Sequence, residues 1–143
     1  MTPMVERLSI TVAVFVVAWA VLAFMKRRQL TAANRASERL DRAQRVPTIV
    51  YFWSDGCAVC KNAQRPVLER MVAESGSDQL AVITYSVDES PEIAREWGVR
   101  TLPTTFVLDS TGATRYVNNG FVALPILRRQ LQETATASVT AGR

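Results

Sequence analysis

A long stretch without charge near the amino terminus most constrains how this chain can fold. Residues 8–25 contain no charged side chain, and they lie between Arg7 and the basic residues 26–28. A helix rising about 1.5 Å per residue would nearly cross a hydrocarbon core of roughly 30 Å over this length. Because the stretch is apolar on every helical face, it predicts one transmembrane helix before the rest of the fold.

Two other interpretations of residues 8–25 stay open. A buried core helix has a similar composition, and Ala18 to Ala20 resemble the small-x-small site at which a signal peptide is cleaved. Against cleavage, the apolar run continues for five residues after Ala20, and the only basic side chain before it is Arg7, offset by Glu6. We therefore expect a retained, single-pass anchor in the cell membrane.

The distribution of Lys and Arg around this stretch predicts its orientation. Within about 20 residues of the span, the positive-inside rule counts one basic residue before it and seven after it. The seven are Lys26, Arg27, Arg28, Arg35, Arg39, Arg42 and Arg45. This asymmetry places the flank 1–7 outside and the remaining chain in the cytoplasm. The basic segment contains no aromatic residue, so it indicates a lipid bilayer as its partner and no nucleic acid.

Residues 26–46 predict a basic juxtamembrane helix or spacer. Gln29 to Gln44 are rich in Ala, Arg, Glu and Leu, contain no Gly or Pro, and place Glu38 four residues before Arg42. The apolar face is thin, so we expect this helix to add little to the core. Pro47 is expected to end it.

The residues from 47 to 134 predict an α/β domain with the order β-α-β-α-β-β-α. The expected strands are residues 48–53, 80–87, 104–108 and 114–117, and the expected helices are 60–74, 91–97 and 124–133. This order predicts a mixed central sheet flanked by helices, parallel where helices cross over and antiparallel at the final hairpin. Residues 135–143 are expected to form a disordered tail.

The chain contains no histidine and two cysteines, Cys57 and Cys60. The absence of histidine excludes Ser/His and Cys/His catalysis, and a disulfide three residues apart encloses too little chain to add much stability. A Cys-x-x-Cys that opens a helix has a chemical rationale, because the helix N-terminus favours the thiolate of the first cysteine. Cys57 is then the attacking nucleophile, Cys60 resolves the mixed disulfide, and Lys61 adds positive charge nearby.

Three other interpretations of the cysteine pair stay open. The first is a zinc site, which would need two more thiolates or imidazoles from another molecule. The others are a pair of incidental buried cysteines and a catalytically weak relative of a redox domain. We expect no metal and no cofactor.

Residues 48–133 resemble the thioredoxin family. Residues 51–61 look like the active-site strand, turn and helix start of the family. Residues 99–104 look like the loop in which a cis-proline, here Pro103, faces the cysteine pair, and Gly120 resembles the glycine after the last strand. An ordinary turn proline is the alternative for Pro103.

The resemblance implies a thioredoxin-like fold and a thiol:disulfide oxidoreductase. Its catalytic residues would be Cys57 and Cys60, and substrate would bind along Leu102, Pro103, Gly56 and Gly120. The implied partners are protein disulfide or dithiol substrates and an upstream thiol reductant, and we expect a monomer. Two alternatives remain. One is a non-catalytic or redox-sensing interaction module at the membrane; the other is an exported reductase for cytochrome or envelope-protein maturation, with its soluble domain outside the cytoplasm.

Several positions depart from the family pattern. Gly56 replaces the usual tryptophan, Ala58 and Val59 stand where thioredoxin has Gly-Pro, Tyr51 and Thr84 replace a buried aspartate and its lysine partner, and Pro66 comes one residue later than the kink proline of the active-site helix. The reduction potential and the route by which Cys60 loses its proton therefore need not follow thioredoxin itself.

Overall fold

The protein is an amino-terminal helix joined to an α/β domain. The computed structural model describes residues 2–38, 40, 46–76 and 78–141, and side chains from residue 7 to residue 135 within those ranges. The elements are α1 Thr2–Ser37, β1 Thr48–Trp53, a π-helical segment Cys60–Gln64, α2 Arg65–Ser75, β2 Ala81–Ser86, α3 Pro91–Glu96, β3 Thr104–Leu108, β4 Thr114–Asn119 and α4 Leu124–Ala141. The predicted order of strands and helices is confirmed.

The four strands form one mixed sheet in the order β2-β1-β3-β4. β1 is parallel to β2 and antiparallel to β3, and β3 is antiparallel to β4. The expectation that strands are parallel wherever a helix crosses over is wrong for α3. This helix has six residues and rises only about 9 Å, roughly half the length of a six-residue strand. The chain therefore re-enters the sheet at the end where β2 finishes, and β3 runs back.

Each face of the sheet carries its own core. Along β1, Ile49 and Tyr51 pack with α2 and α4, whereas Val50 and Phe52 pack with α1 and α3. This alternation follows from the two-residue period of a strand. On the second face, the rings of Phe52, Trp97 and Phe106 contact one another at centroid distances of 4.9–5.9 Å.

Helix α1 packs on the domain more closely than we expected. Ala33 and Ala36 are buried in the second core, although the thin apolar face of this segment predicted little contribution. Small side chains allow the close approach. Gly98 lies next to Ala32, and its φ of +68° favours glycine, whereas a Cβ there would make only an ordinary contact, 3.7 Å from the Ala32 Cβ. The helix also ends at Ser37, well before Pro47. Residues 39 and 41–45, and with them the expected Glu38–Arg42 pair, lie outside the described residues.

The apolar part of α1 projects away from the domain. Among the described residues, one helical stretch, Arg7–Ser37 of α1, is long and apolar enough to cross a membrane, and its apolar window of 18 residues has a mean hydropathy of 2.5. None of that apolar window is buried in the protein, which contradicts the interpretation of a buried core helix. A membrane span and a signal sequence both fit the helix by length and composition.

The carboxy-terminal tail is more ordered than its composition suggested. We expected disorder over 135–143, whereas α4 continues to Ala141. Residues 135–141 contain neither Gly nor Pro, so nothing in them interrupts a helix that has already formed. Residues 142 and 143 lie outside the described part of the chain.

Candidate active site

The two cysteines lie at the end of the central strand β1, where a turn leads into a helix. The Cys57 amide donates a hydrogen bond to the Ser54 carbonyl (3.2 Å), and helical structure begins at the next residue. Cys57 and Cys60 form a disulfide, with their Cα atoms 5.2 Å apart. Cys57 is half-buried and Cys60 is fully buried, so an external partner can approach only Cys57.

The backbone around Cys57 supplies a hydrogen-bond donor to its sulfur. The Cys60 amide donates to Cys57 Sγ at 3.2 Å. A donor at this position, in the first turn of a helix, stabilises negative charge on the sulfur more than it stabilises the thiol. The arrangement therefore suits a sulfur that is displaced as a thiolate or attacks as one.

The positive charge expected from Lys61 is partly neutralised. The Lys61 ammonium lies 3.2 Å from the Asp55 carboxylate, and both side chains are well exposed. The Asp55 amide in turn donates to the Asp88 carboxylate at 2.9 Å. Two carboxylates thus lie near the turn, and the hydrogen bond from Cys60 is the more specific influence on the sulfur.

The helix that follows Cys60 begins with π-type geometry. The Arg65 amide donates to the Cys60 carbonyl, five residues earlier. A π turn holds one residue more than an α turn and is frequent at functional sites. This extra residue accounts for Pro66, which stands one position later than the kink proline of the family that residues 48–133 resemble.

The side chain of Tyr51 binds the backbone of Cys60. Its hydroxyl donates to the Cys60 carbonyl at 3.0 Å, and its ring is buried. Burial raises the pKa of Tyr51 to about 12, although the charge of Arg65 acts in the opposite direction. Tyr51 is therefore neutral at physiological pH and cannot serve as the carboxylate base that it replaces. Sequence reasoning noted the replacement but did not find this contact.

Gln64 joins the π segment to the chain after β4. Its buried side-chain amide accepts a hydrogen bond from the Val122 amide (2.9 Å) and donates to the Val122 carbonyl (3.3 Å). Sequence reasoning missed this residue as well. The spacing in the sequence could have indicated that Gln64 is buried. It lies four residues after Cys60 and four before Leu68, on the helical face that becomes buried.

The predicted proline loop reaches the same end of the sheet. The Leu102–Pro103 peptide bond is cis, as expected. The Pro103 carbonyl accepts a hydrogen bond from the Gly120 amide at 2.7 Å, and Gly120 has φ +92°, a conformation that favours glycine. Within the described residues, no hydrogen-bond partner is found for the main chain of Leu102. Pro103 and Gly120 are thus brought together.

For the other predicted site residues, the structure shows their surroundings and, among the described residues, no hydrogen bond between them. Leu102 and Cys57 are both half-buried and border the same core cluster, which includes Cys60. Gly56 is exposed in the turn before Cys57, and a Cβ there would meet nothing within 4 Å. In the part of the chain that the structure describes, no group of three or more His, Cys, Asp or Glu side chains is arranged to hold a metal ion.

Solved structures support the thioredoxin-like fold. Thioredoxin-2 of a malaria parasite, described as a component of its protein secretion machinery, superposes with a TM-score of 0.57 at 19% identity over 62% of this chain and 82% of that one. A second structure, reported as that of a malarial protein, gives the same TM-score and identity over 97% of its own length.

Curated proteins with similar sequences are thioredoxins. Thioredoxin 1 of Synechococcus elongatus is 34% identical over 43% of this chain and 56% of its own length. A chloroplastic M-type thioredoxin of Chlamydomonas reinhardtii is 37% identical over 43% of each chain. This chain therefore spans about half the length of these two relatives. Thioredoxin 1 of Nostoc is matched over 70% of its length at 30% identity.

The family comparison extends further along the chain than the cysteine motif. The family model for thioredoxin matches residues 29–127, so it includes the part of α1 that packs on the sheet as well as the proline loop. Our sequence-based resemblance began only at residue 48. With the fold, the placement of the cysteine pair and this match in agreement, the chain belongs to the thioredoxin family.

Proposed function

We propose that this protein is a membrane-tethered thiol:disulfide oxidoreductase that acts through Cys57 and Cys60. The observation that carries the proposal is the asymmetry of the pair. Cys57 is accessible and its sulfur accepts the Cys60 amide hydrogen bond, whereas Cys60 is buried directly behind it. A partner from outside therefore reacts with the Cys57 sulfur. The Cys60 sulfur then attacks the mixed disulfide and releases the product.

The reaction is a balanced exchange of two electrons. With the pair reduced, the Cys57 thiolate attacks a substrate disulfide, forms a mixed disulfide and releases one substrate thiolate, which takes up a proton. Cys60, having lost its proton, attacks Cys57 Sγ, and the second substrate sulfur leaves as a thiolate. The substrate is reduced to a dithiol and the enzyme is oxidised to the Cys57–Cys60 disulfide, which an upstream thiol reductant returns to the dithiol.

The proline loop is the proposed substrate-binding surface. The main chain of Leu102, which has no hydrogen-bond partner among the described residues, can pair with an extended segment of the substrate, in the manner of a strand added to an edge. The Pro103–Gly120 hydrogen bond fixes the loop against β4. Gly56 precedes Cys57 in an exposed turn, where a substrate segment can approach.

Reduction of insulin disulfides with a chemical reductant tests the oxidoreductase. We expect the native protein to accelerate the reaction, Cys57→Ser to abolish the acceleration, and Cys60→Ser to accumulate a mixed disulfide with substrate. If native protein and Cys57→Ser give the same rate, the alternative of a non-catalytic or redox-sensing module replaces this proposal.

The proposed tether is the apolar part of α1, with the domain on the cytoplasmic side. The seven basic residues after the apolar stretch and the single Arg7 before it support this orientation. A reporter that is active only in an oxidising exported compartment, fused after Arg143, is expected to give no signal. A strong signal that is lost on deletion of residues 8–25 would instead favour the exported reductase.

A further inference from the structure

The direction in which α1 leaves the domain follows from two side-chain contacts. Gln29 donates to the Gly98 carbonyl (3.3 Å) and exchanges hydrogen bonds with the Asn119 side chain (3.0 Å each). One and a half turns later, the Asn34 side chain accepts a hydrogen bond from the Thr114 amide at 2.7 Å. The helix therefore runs along β4 from its last residue towards its first.

The sheet register shows which end of the domain each contact marks. Asn119 pairs with Thr104, which pairs with Phe52 at the end of β1 next to the cysteine turn. Thr114, near the opposite end, pairs with Leu108, which pairs with Thr48 at the start of β1. Gln29 thus lies at the active-site end of the sheet, and the preceding part of α1 projects beyond that end.

No flexible link separates the apolar stretch from this contact. α1 is a continuous helix from Thr2 to Ser37, and residues 4–46 contain neither Gly nor Pro. The last apolar residue, Met25, precedes Gln29 by four residues, which corresponds to about 6 Å along the helix axis. The active-site end of the domain is therefore held close to the end of the apolar stretch.

A groove between α1 and the loop before Pro103 carries the charge expected next to phospholipid headgroups. It has a volume of about 580 Å³ and is lined on the helix by Leu22, Met25, Lys26 and Arg28 and on the domain by Arg100 and Thr101. Cations concentrated at the end of a hydrophobic helix are attracted to the headgroups of anionic lipids. Arg100 and Thr101 lead directly into Leu102.

The exposed apolar side chains of the domain lie at the same end. Outside α1, the large hydrophobic residues that the structure leaves exposed in the described part are Val59 (49%), Phe121 (50%) and Ile126 (44%). Val59 lies between the two cysteines, Phe121 follows Gly120, and Ile126 is in the first turn of α4. Exposed apolar side chains at the active-site end are compatible with contact at a bilayer surface.

We infer that α1 holds the active site facing the bilayer, and that its substrate is a cysteine pair of a membrane protein, in a segment at the membrane surface. This inference rests on the proposed oxidoreductase and membrane tether and adds the position of the substrate. A tethered domain that faced away from the membrane would exchange with soluble proteins instead.

Depth measurements test the orientation without requiring activity. In full-length protein carrying Cys57→Ser and Cys60→Ser, one fluorophore is attached through Asp55→Cys at the active-site end, or through Ser110→Cys in the β3–β4 turn at the opposite end. In vesicles of zwitterionic and anionic phospholipid with spin-labelled headgroups, we expect clearly stronger quenching at position 55. Equal quenching, or stronger quenching at position 110, would overturn the inference.

A second experiment tests whether the enzyme can reduce a substrate that is held close to the membrane. The native full-length protein in vesicles, supplied with dithiothreitol, is given one disulfide peptide in soluble form, on a lipid anchor with a short spacer, or on one with a long spacer. We expect the short-spacer peptide to be reduced as fast as the long-spacer peptide. A short-spacer rate about tenfold lower, with the other two peptides still reduced, would overturn the inference and leave the oxidoreductase intact. Each rate is measured as the increase over dithiothreitol alone, and no increase with any of the three peptides would refute the oxidoreductase itself.

Discussion

At the scale of single residues, the two cysteines differ in their exposure, and neighbouring side chains hold the main chain that follows them. Cys57 presents its sulfur to the outside and accepts one backbone hydrogen bond, while Cys60 is enclosed by the core. Tyr51 and Gln64 touch neither sulfur in the hydrogen bonds described above. Tyr51 holds the Cys60 carbonyl, and Gln64 holds the π segment that follows Cys60 to the chain after β4.

Cys57 should react before Cys60 with an alkylating reagent once the disulfide is reduced. The reason is its exposure together with the thiolate-stabilising amide of Cys60. Mass mapping after brief treatment with iodoacetamide measures the order. Earlier labelling of Cys60 would show that the attacking and resolving roles are assigned the wrong way round.

Tyr51→Phe should leave the fold intact and lower the free energy of unfolding by about 1 kcal/mol, the net value of a lost hydrogen bond. The pKa of Tyr51 is raised above that of an unfolded tyrosine, so its contribution is fully present below about pH 10 and is lost as the pH rises towards about 12. A difference titration at 295 nm between native protein and the variant should show a phenol ionising well above pH 10. A component near pH 10 would contradict the burial of this hydroxyl.

At the scale of elements, helix α1 contributes to the core through its small residues. Ala33→Leu places extra methyl groups against Phe52 and Trp97, where overpacking typically costs about 1–3 kcal/mol. Thr31→Leu, on the exposed side of the same helix, is the matched control and should change stability by less than about 0.5 kcal/mol. Urea unfolding in detergent measures both, and equal effects would show that the helix does not pack here.

The β3–β4 turn is organised by a buried carboxylate. Asp109 accepts hydrogen bonds from the amides of Thr111 and Ala113 and pairs with Arg115 at 2.6 Å. Burial alone would raise the pKa of Asp109, but these hydrogen bonds outweigh burial and lower it. Its contribution to stability is therefore present above the ordinary aspartate range and is lost as the pH falls below it.

Asp109→Asn should lower the free energy of unfolding by about 1–3 kcal/mol at neutral pH, because a charged hydrogen-bond acceptor is lost. The difference from native protein should shrink as the pH falls below about 4, where the carboxylate of the unfolded chain takes up a proton, and it should disappear once the native carboxylate, whose pKa is lower, is protonated as well. Denaturant unfolding at several pH values measures it. A difference that is independent of pH would show that the charge of Asp109 contributes nothing.

The elements that could be predicted from sequence are those defined by local patterns. The β-branched and aromatic run 48–53 and the Gly76 helix end depend on neighbours in the chain, and both agree with the structure. The burial of Ala33, the antiparallel direction of β3 and the contact of Gln64 with Val122 depend on residues distant in sequence. A small or polar side chain carries no local sign that a distant surface will cover it.

At the scale of the whole molecule, the functional boundary of the domain lies inside a helix. The thioredoxin family model begins at residue 29, which is also the first residue of α1 that we find bonded to the sheet. The apolar stretch and the domain therefore share one continuous helix. In the proposed membrane-tethered protein, this helix sets the direction of the active site as well as its distance from the membrane.

This shared helix predicts that two truncations will differ sharply. A chain of residues 29–143 keeps Ala33, Ala36 and the Gln29 contacts, so we expect a folded, soluble protein, and a monomer if our sequence-based expectation holds. A chain of residues 38–143 leaves the aromatic cluster of Phe52 and Trp97 uncovered, and exposed apolar surface of this kind favours aggregation.

Size-exclusion chromatography, near-ultraviolet circular dichroism and dye binding compare the two chains. The shorter chain should bind the dye, lose the aromatic dichroism and elute as aggregate, whereas the longer one should keep the native spectrum. Ala33→Asp in the longer chain is a further control, because a buried, unpaired charge at this position should reproduce the defect of the shorter chain. If residues 38–143 alone fold with a native spectrum, α1 is only a tether and does not orient the active site.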